Sequence, residues 1–381
     1  MKNFLFITIF SLIIVSSPKA DHQTINYDFN AWFKYEVKGS NQYYKFKSNI
    51  VEDQDVKKEI ENYKKTGIVS YLLFENDNIV IDYQADHQLT SNTSEKNKIL
   101  YGSKSVGKSL VSYVTGHAIC EGYIDGIEAK LDDWPILNNT LYDGQKLIDL
   151  LNMRAGDQKY IGEKNFDSDN KLKSTKQNVN TVPLKFIMQY QFKNKKKSKA
   201  TYNYNALATN IVLNYTIFKS GNNYQSLLNK VFKDHAKIKN SVYFLRNSTD
   251  ETEGSGRYSF YASRYDYLRI GKRILDDWNN DTCVGKYLKT IYEQRKNKNK
   301  KSYKGDKSGQ FSVSQYTKKY GGQFHFDIIG LTKKRILAMD GFGAVSYTHL
   351  RAHETDSYLV CRLLLERNSN CFNWWVYSVF T

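Results

Sequence analysis

Strand-like text stands near both ends of this chain, and helical text fills the middle. Ile68–Phe74 and Ile79–Tyr83 are β-rich runs about the polar turn Glu75-Asn-Asp-Asn78. Gln323–Ile329 and Arg335–Met339 repeat that pattern about Gly330-Leu-Thr-Lys-Lys334. An isolated hairpin is marginal in water, so two of them this far apart predict one shared sheet. The expected class is α+β, with an antiparallel sheet drawn from about 67–100 and 310–344 and a helical insertion over about 123–260.

The helices follow from apolar spacing. In Asp55–Thr66, Val56, Ile60 and Tyr63 share a face and Gly67 is the stop. Leu147–Met153 is a short helix ended by Ala155-Gly156, and Leu184–Tyr190 is another. Leu207, Ile211 and Phe218 mark a helix stopped by Gly221. Tyr224–Phe232, Tyr265–Trp278 and Gly285–Arg295 complete the set, while Val242–Leu245 is too brief to assign. Asp21–Ser48 reads as an irregular, tyrosine-rich arm. Asp157–Val182 is polar, a long loop of the kind that borders a site.

One stretch carries chemistry. Tyr101-Gly-Ser-Lys-Ser-Val-Gly-Lys-Ser-Leu110 is a polar turn opening an amphipathic helix, with Val106, Leu110, Val114 and Ala118 on one face. Ser105 starts the helix and Lys108 follows one turn on, so both side chains share a face. Peptide dipoles at a helix N-terminus favour developing negative charge, and an ammonium one turn away adds to that field. Such a pair can activate a hydroxyl without a histidine. The spacing alone is weak, because Ser168-Asp-Asn-Lys171 has it too, and a plain capping serine would occupy the same place.

Composition narrows the setting. Met1 to about Ala20 reads as an export signal: Lys2, the apolar run Phe4–Val15, then a small-residue exit. The mature chain is expected to begin near Asp21 and to work outside the cytoplasm, periplasmic or secreted, with no membrane span remaining. The net charge of +17 comes largely from lysine, clustered at Lys193–Lys199 and Lys296–Lys307 in stretches that read as solvated loops. No nucleic-acid motif accompanies them. Cys120, Cys283, Cys361 and Cys371 fit neither a metal site nor a disulfide framework, and a Cys120–Cys283 pair is left open.

Three segments taken together are more specific. They are Ser105-Val-Gly-Lys108, Tyr204-Asn-Ala206 opening a helix, and Asp340-Gly341-Phe342-Gly343 at a strand end. This order resembles the serine β-lactamase-like superfamily: class C β-lactamases, D,D-peptidases, esterase relatives and most closely the 6-aminohexanoate-dimer hydrolase-like branch. The resemblance spans roughly residues 67 to 343. It implies an antiparallel sheet flanked by helices plus an all-helical domain, the site lying between them. It also implies Ser105 as acylated nucleophile, Lys108 as its deprotonating partner and Tyr204 as a phenol or phenolate relaying the proton. The backbone N–H groups of Ser105 and Phe342 would form an oxyanion hole, and Asp340, Gly341 and Gly343 would border the substrate. Neither metal nor organic cofactor is implied. The partner would be a small amide or ester, with oligomeric state open. A D,D-peptidase, a β-lactamase and a non-catalytic binder of an envelope ligand are the alternatives. Met339 stands where penicillin-recognising members carry Lys or His, and Ala206 where many carry Asn or Ser.

After Ala344 the text changes character. Val345–Thr381, with Val345-Ser-Tyr-Thr-His-Leu-Arg-Ala-His-Glu-Thr355, resembles translated sequencing adaptor. The expected division is therefore a signal over 1–20, a hydrolase-like domain over 21–344 and a foreign tail over 345–381. Such a tail in place of the last strands would leave the sheet a raw edge.

Overall fold

The computed structural model describes residues 33–86, 96–161, 182–299, 313–329, 335–341, 345–351 and 357–364. The signal segment, the second Ser-x-x-Lys match, Phe342 and Gly343 lie outside them.

Among the described residues thirteen strands form two sheets. The larger has the order β2-β4-β3-β13-β12-β11-β10-β9-β8. It comprises β2 (Lys47–Ser48), β3 (Ile68–Glu75), β4 (Asn78–Gln84), β8 (Lys296–Asn297), β9 (Thr317–Gly321), β10 (Phe324–Ile328), β11 (Arg335–Asp340), β12 (Val345–Arg351) and β13 (Ser357–Leu364). Its pairs are antiparallel except β2 on β4. The β3–β4 hairpin turns on Asn76 and Asp77, both left-handed (φ 46° and 62°), residue types that tolerate that conformation. The sheet is thus built from both ends of the chain, as the hairpin pattern predicts.

The tail expectation meets a different backbone. β12 pairs with β11 along its whole length, and β13 joins β12 to β3, so no edge is left raw there. His349 accordingly sits in a strand.

The smaller sheet, β1-β6-β7-β5, was not foreseen. It gathers β1 (Lys34–Val37), β5 (Leu100–Gly102), β6 (Val242–Arg246) and β7 (Gly256–Ser263). The insertion is therefore helical only in part, because its last section supplies β6 and β7. Arg257–Ser263, just before the helix expected over Tyr265–Trp278, is strand. The arm before Ser48 likewise contributes β1, whose Tyr35 and Val37 are buried.

The helices named below are α1 (Gln54–Glu61), α2 (Val106–Cys120), α3 (Leu147–Leu151), α4 (Ala206–Ser220), α5 (Tyr224–Leu228), α6 (Arg264–Asn279) and α7 (Cys283–Glu293). Asp53 caps α1, and the short helical turn after it ends at Gly67 in the left-handed conformation. Helix α2 is buried nearly all round and not on one face only, since α4, α7 and β7 pack about it. Two of its polar side chains are partnered inside the core: Ser112 by Tyr287 at 2.7 Å and Thr115 by Thr216 at 2.9 Å. Arg264 ties the start of α6 to the larger sheet through Ser70 Oγ (3.0 Å) and Asp82. Cys120 and Cys283 are joined in a disulfide linking the end of α2 to the start of α7. Among the described residues, no helix is long and apolar enough to cross a membrane.

Candidate active site

The turn into α2 places Ser105. Ser103 bonds β7 twice: its N–H donates to Phe260 O (2.7 Å), and its hydroxyl accepts from Phe260 N (3.0 Å). Lys104 then takes a left-handed φ of 47°, an uncommon conformation for lysine, and the chain enters the helix at Ser105. The Ser105 side chain makes no capping bond, so a structural cap is not what holds it there. Among the described residues its N–H donates to no backbone carbonyl.

Gly107 explains the rest of the motif. A Cβ there would lie 2.0 Å from Tyr258 O, so only glycine lets the helix start rest against β7. That approach brings Lys108 onto Tyr258, with Nζ 3.6 Å from the ring centroid. Lys108 is 2% exposed, and no carboxylate pairs with it among the described residues. Burial pulls its pKa down; the charge and hydrogen bond of Tyr258 oppose that pull.

Tyr204 comes from the turn before α4. Asn205 caps that helix, its side chain accepting from Ala208 N at 2.8 Å. Buried Asp157 fixes the residues on either side of Tyr204: it accepts from Asn203 Nδ2 (3.0 Å), Asn205 Nδ2 (3.3 Å) and the Tyr142 hydroxyl (3.0 Å). Burial raises the Asp157 pKa, and those three donors work against it. Tyr204 is not a core aromatic. It is 41% exposed as a residue, while its hydroxyl end is enclosed. Enclosure pushes the phenol well above its usual value; Ser105, its hydrogen-bonding neighbour, acts the other way, and Tyr202, Tyr258 and Asp340 add to the rise. That direction favours the phenol over the phenolate at rest. Lys108 Nζ lies 5.3 Å from the Tyr204 ring centroid.

The structure thus gathers Ser105, Lys108, Tyr204 and Asp340 at one place. Gly341 follows Asp340 and is buried. Met339 is buried in the apolar core, so it offers no group in place of a cation. Four further neighbours escaped the sequence reading: Tyr258, Tyr320, His325 and Lys298. The Tyr320 ring stands 5.8 Å from that of Tyr204, and the His325 ring 6.3 Å. Lys298 Nζ is 2.9 Å from His325 Nδ1. In the sequence Lys298 is one lysine of the polar run Lys296–Lys307 and His325 a single histidine two residues after Gln323, so neither stands out. Among the described residues, no cluster of three or more His, Cys, Asp or Glu could hold a metal ion.

No family model matches the sequence, and no curated protein matches it. Solved structures do resemble it. A protein described as a 6-aminohexanoate-dimer hydrolase from Bacillus anthracis is 13% identical with a TM-score of 0.59, covering 87% of this chain and 85% of that one. A protein described as a β-lactamase from Bacteroides dorei is 12% identical with a TM-score of 0.57, covering 83% and 91%. A class C β-lactamase from Rhodobacter sphaeroides is 11% identical with a TM-score of 0.50, covering 83% and 94%. At such identities the likeness speaks for architecture alone, and the architecture is that of the serine β-lactamase-like fold, as the three motifs imply.

Proposed function

We propose that the chain is an exported serine hydrolase that cleaves a small amide or ester through an acyl-enzyme on Ser105. The observation that carries this reading is the nearness of Ser105 to the Tyr204 hydroxyl, beside a buried lysine with no carboxylate partner among the described residues. Ser105 passes its proton to the Tyr204 oxygen as it attacks the substrate carbonyl, and Tyr204 passes its own proton to the Lys108 amine. A lysine with lowered pKa is the group able to receive it. When the tetrahedral intermediate collapses, the same chain runs backwards and Tyr204 protonates the leaving amine or alkoxide. Water then repeats the sequence to free Ser105. The N–H groups of Ser105 and Phe342 would hold the oxyanion, and Asp340, Gly341 and Gly343 would line the substrate edge. The known relatives in this fold include hydrolases by their descriptions, which agrees with this class. Export is supported by the leader-like first residues and by the Cys120–Cys283 disulfide, a bond that persists in oxidising compartments.

Intact-mass and peptide mapping after a fluorophosphonate probe test the proposal. A single adduct on Ser105, absent from Ser105→Ala, is the expected result. A folded wild-type chain that takes no adduct overturns it.

A further inference from the structure

The lysine run Lys296–Lys307 reads as solvated, yet one member lies inside the protein. Lys298 follows β8 and is 5% exposed. Its Nζ lies 2.7 Å from Thr317 Oγ1 on β9 and 2.9 Å from His325 Nδ1 on β10. The Asp340 carboxylate, at the end of β11, acts on it as a counter-charge. Lys298 therefore links the edge of the larger sheet to the strand end that borders Tyr204. An ammonium can only donate, so while Lys298 is charged His325 Nδ1 accepts and the ring proton sits on Nε2. Burial, and then Lys298 itself, hold His325 well below its usual pKa, so the ring stays neutral. That ring lies 6.3 Å from Tyr204 and 4.9 Å from Tyr320, centroid to centroid.

We propose that Lys298 is a positioning residue for the Ser105 reaction: it holds His325 in one tautomer beside Tyr204 and balances the charge of Asp340, so acylation is favoured while Lys298 keeps its proton. The inference rests on the reading of Ser105 as nucleophile. Acylation builds negative charge on the former carbonyl oxygen, and a nearby carboxylate opposes it unless a cation compensates. The titratable groups facing Lys298 include Asp340 from β11 and His325 from β10, and β9 contributes the uncharged Thr317. Burial brings Lys298 down to about 7, against the pull of Asp340, so the compensation is lost as pH rises through neutrality.

The test is the rate of fluorophosphonate labelling of Ser105 across neutral pH, with circular dichroism to confirm folding. Below neutrality Lys298→Met should label about tenfold more slowly than wild type, and the fall in rate near neutral pH should vanish. Adding Asp340→Asn should recover most of that loss. An unchanged rate and profile in Lys298→Met, or no recovery in the double variant, overturns the proposal. Nitrogen-15 NMR of His325 in the unaltered protein gives a second readout that needs no variant fold. A neutral ring protonated at Nε2 is expected below neutral pH, and a charged or Nδ1-protonated ring overturns the assignment. If wild type takes no label, the nucleophile reading fails while the His325 signal still reports on Lys298, so the two failures are separable.

Discussion

The two halves of α2 are built on opposite terms. Toward its C-terminal half several polar groups converge on one carboxylate, although buried His117 Nε2 has no hydrogen-bond partner among the described residues. The Tyr113 hydroxyl donates to Asp277, Arg273 pairs with the same carboxylate, and Thr282 Oγ1 donates to it at 2.9 Å. The Cys120–Cys283 disulfide closes that end. At the N-terminal end, Lys104 is left-handed, Ser105 caps nothing and Lys108 is buried with no carboxylate partner among the described residues. Strained or underpaired groups persist only where the surrounding structure over-determines them. The heavily bonded half is what lets the other end keep a misfitting lysine in place.

The sharpest way to break this contrast is to remove the misfit. Lys108→Met should slow Ser105 labelling by about 10²–10⁴-fold, the range for a general base. It should not weaken the fold near neutral pH. The folded pKa of Lys108 lies below its ordinary 10.5, so the unfolded chain binds that proton more tightly. Stability held above 10.5 is therefore lost as pH falls through the folded value. The variant should gain Tm over wild type at neutral and acid pH, and the gain should vanish above about 10.5; thermal melts across pH check the sign.

The secured half can be weakened instead. The disulfide closes a sequence separation of 163 residues. Replacing both cysteines with serine should reduce unfolding free energy by about 4 kcal/mol in urea titrations, while labelling well below the Tm stays near wild type. Gly107→Ala sits in the N-terminal end itself, where it rests on β7. Its Cβ would strike Tyr258 O, so the helix start must lift off β7. About 1–3 kcal/mol of stability should go, together with part of the labelling rate, because Lys108 moves with the helix. Loss of stability with no change in rate would show that Lys108 is not held by that approach.

Much of this was legible. The Ser105–Lys108 pair is local, fixed by helix period, and Tyr204 and Asp340 could be found by their order along the chain. The neighbours that surround them were not. Tyr258 reaches Lys108 only because β5 and β7 pair, a contact with no sequence period behind it. Lys298 was hidden by composition: in a chain with 56 lysines and arginines, one buried lysine looks like its solvated neighbours. Val242–Leu245 gave too few residues to reveal a strand, so the smaller sheet went unseen. The stretch after Ala344 teaches the converse. Its text resembles adaptor, yet its backbone occupies the slot between β11 and β3. The slot belongs to the fold, and residues of alternating character will fill it whatever their origin. Resequencing the gene across codon 344 separates the two origins: β-strand text beginning with glycine or similar is expected, and a faithful repeat of Val345 onward would overturn the foreign reading.

Gln323, at the tip of the β9–β10 hairpin, bonds in three directions. Its carbonyl accepts from Ser109 on α2 at 2.7 Å and its amide side chain takes Thr209 on α4 at 2.7 Å. Its backbone and side-chain N–H groups reach Leu151 and Leu150 of α3 at 2.9 and 3.2 Å. Sheet and helices are pinned together at one buried residue directly behind the crevice. Rigid-body breathing of one layer against the other would have to break all of these at once. If Ser105 is the nucleophile, these bonds favour a fixed mould over a closing jaw where the helices meet the sheet.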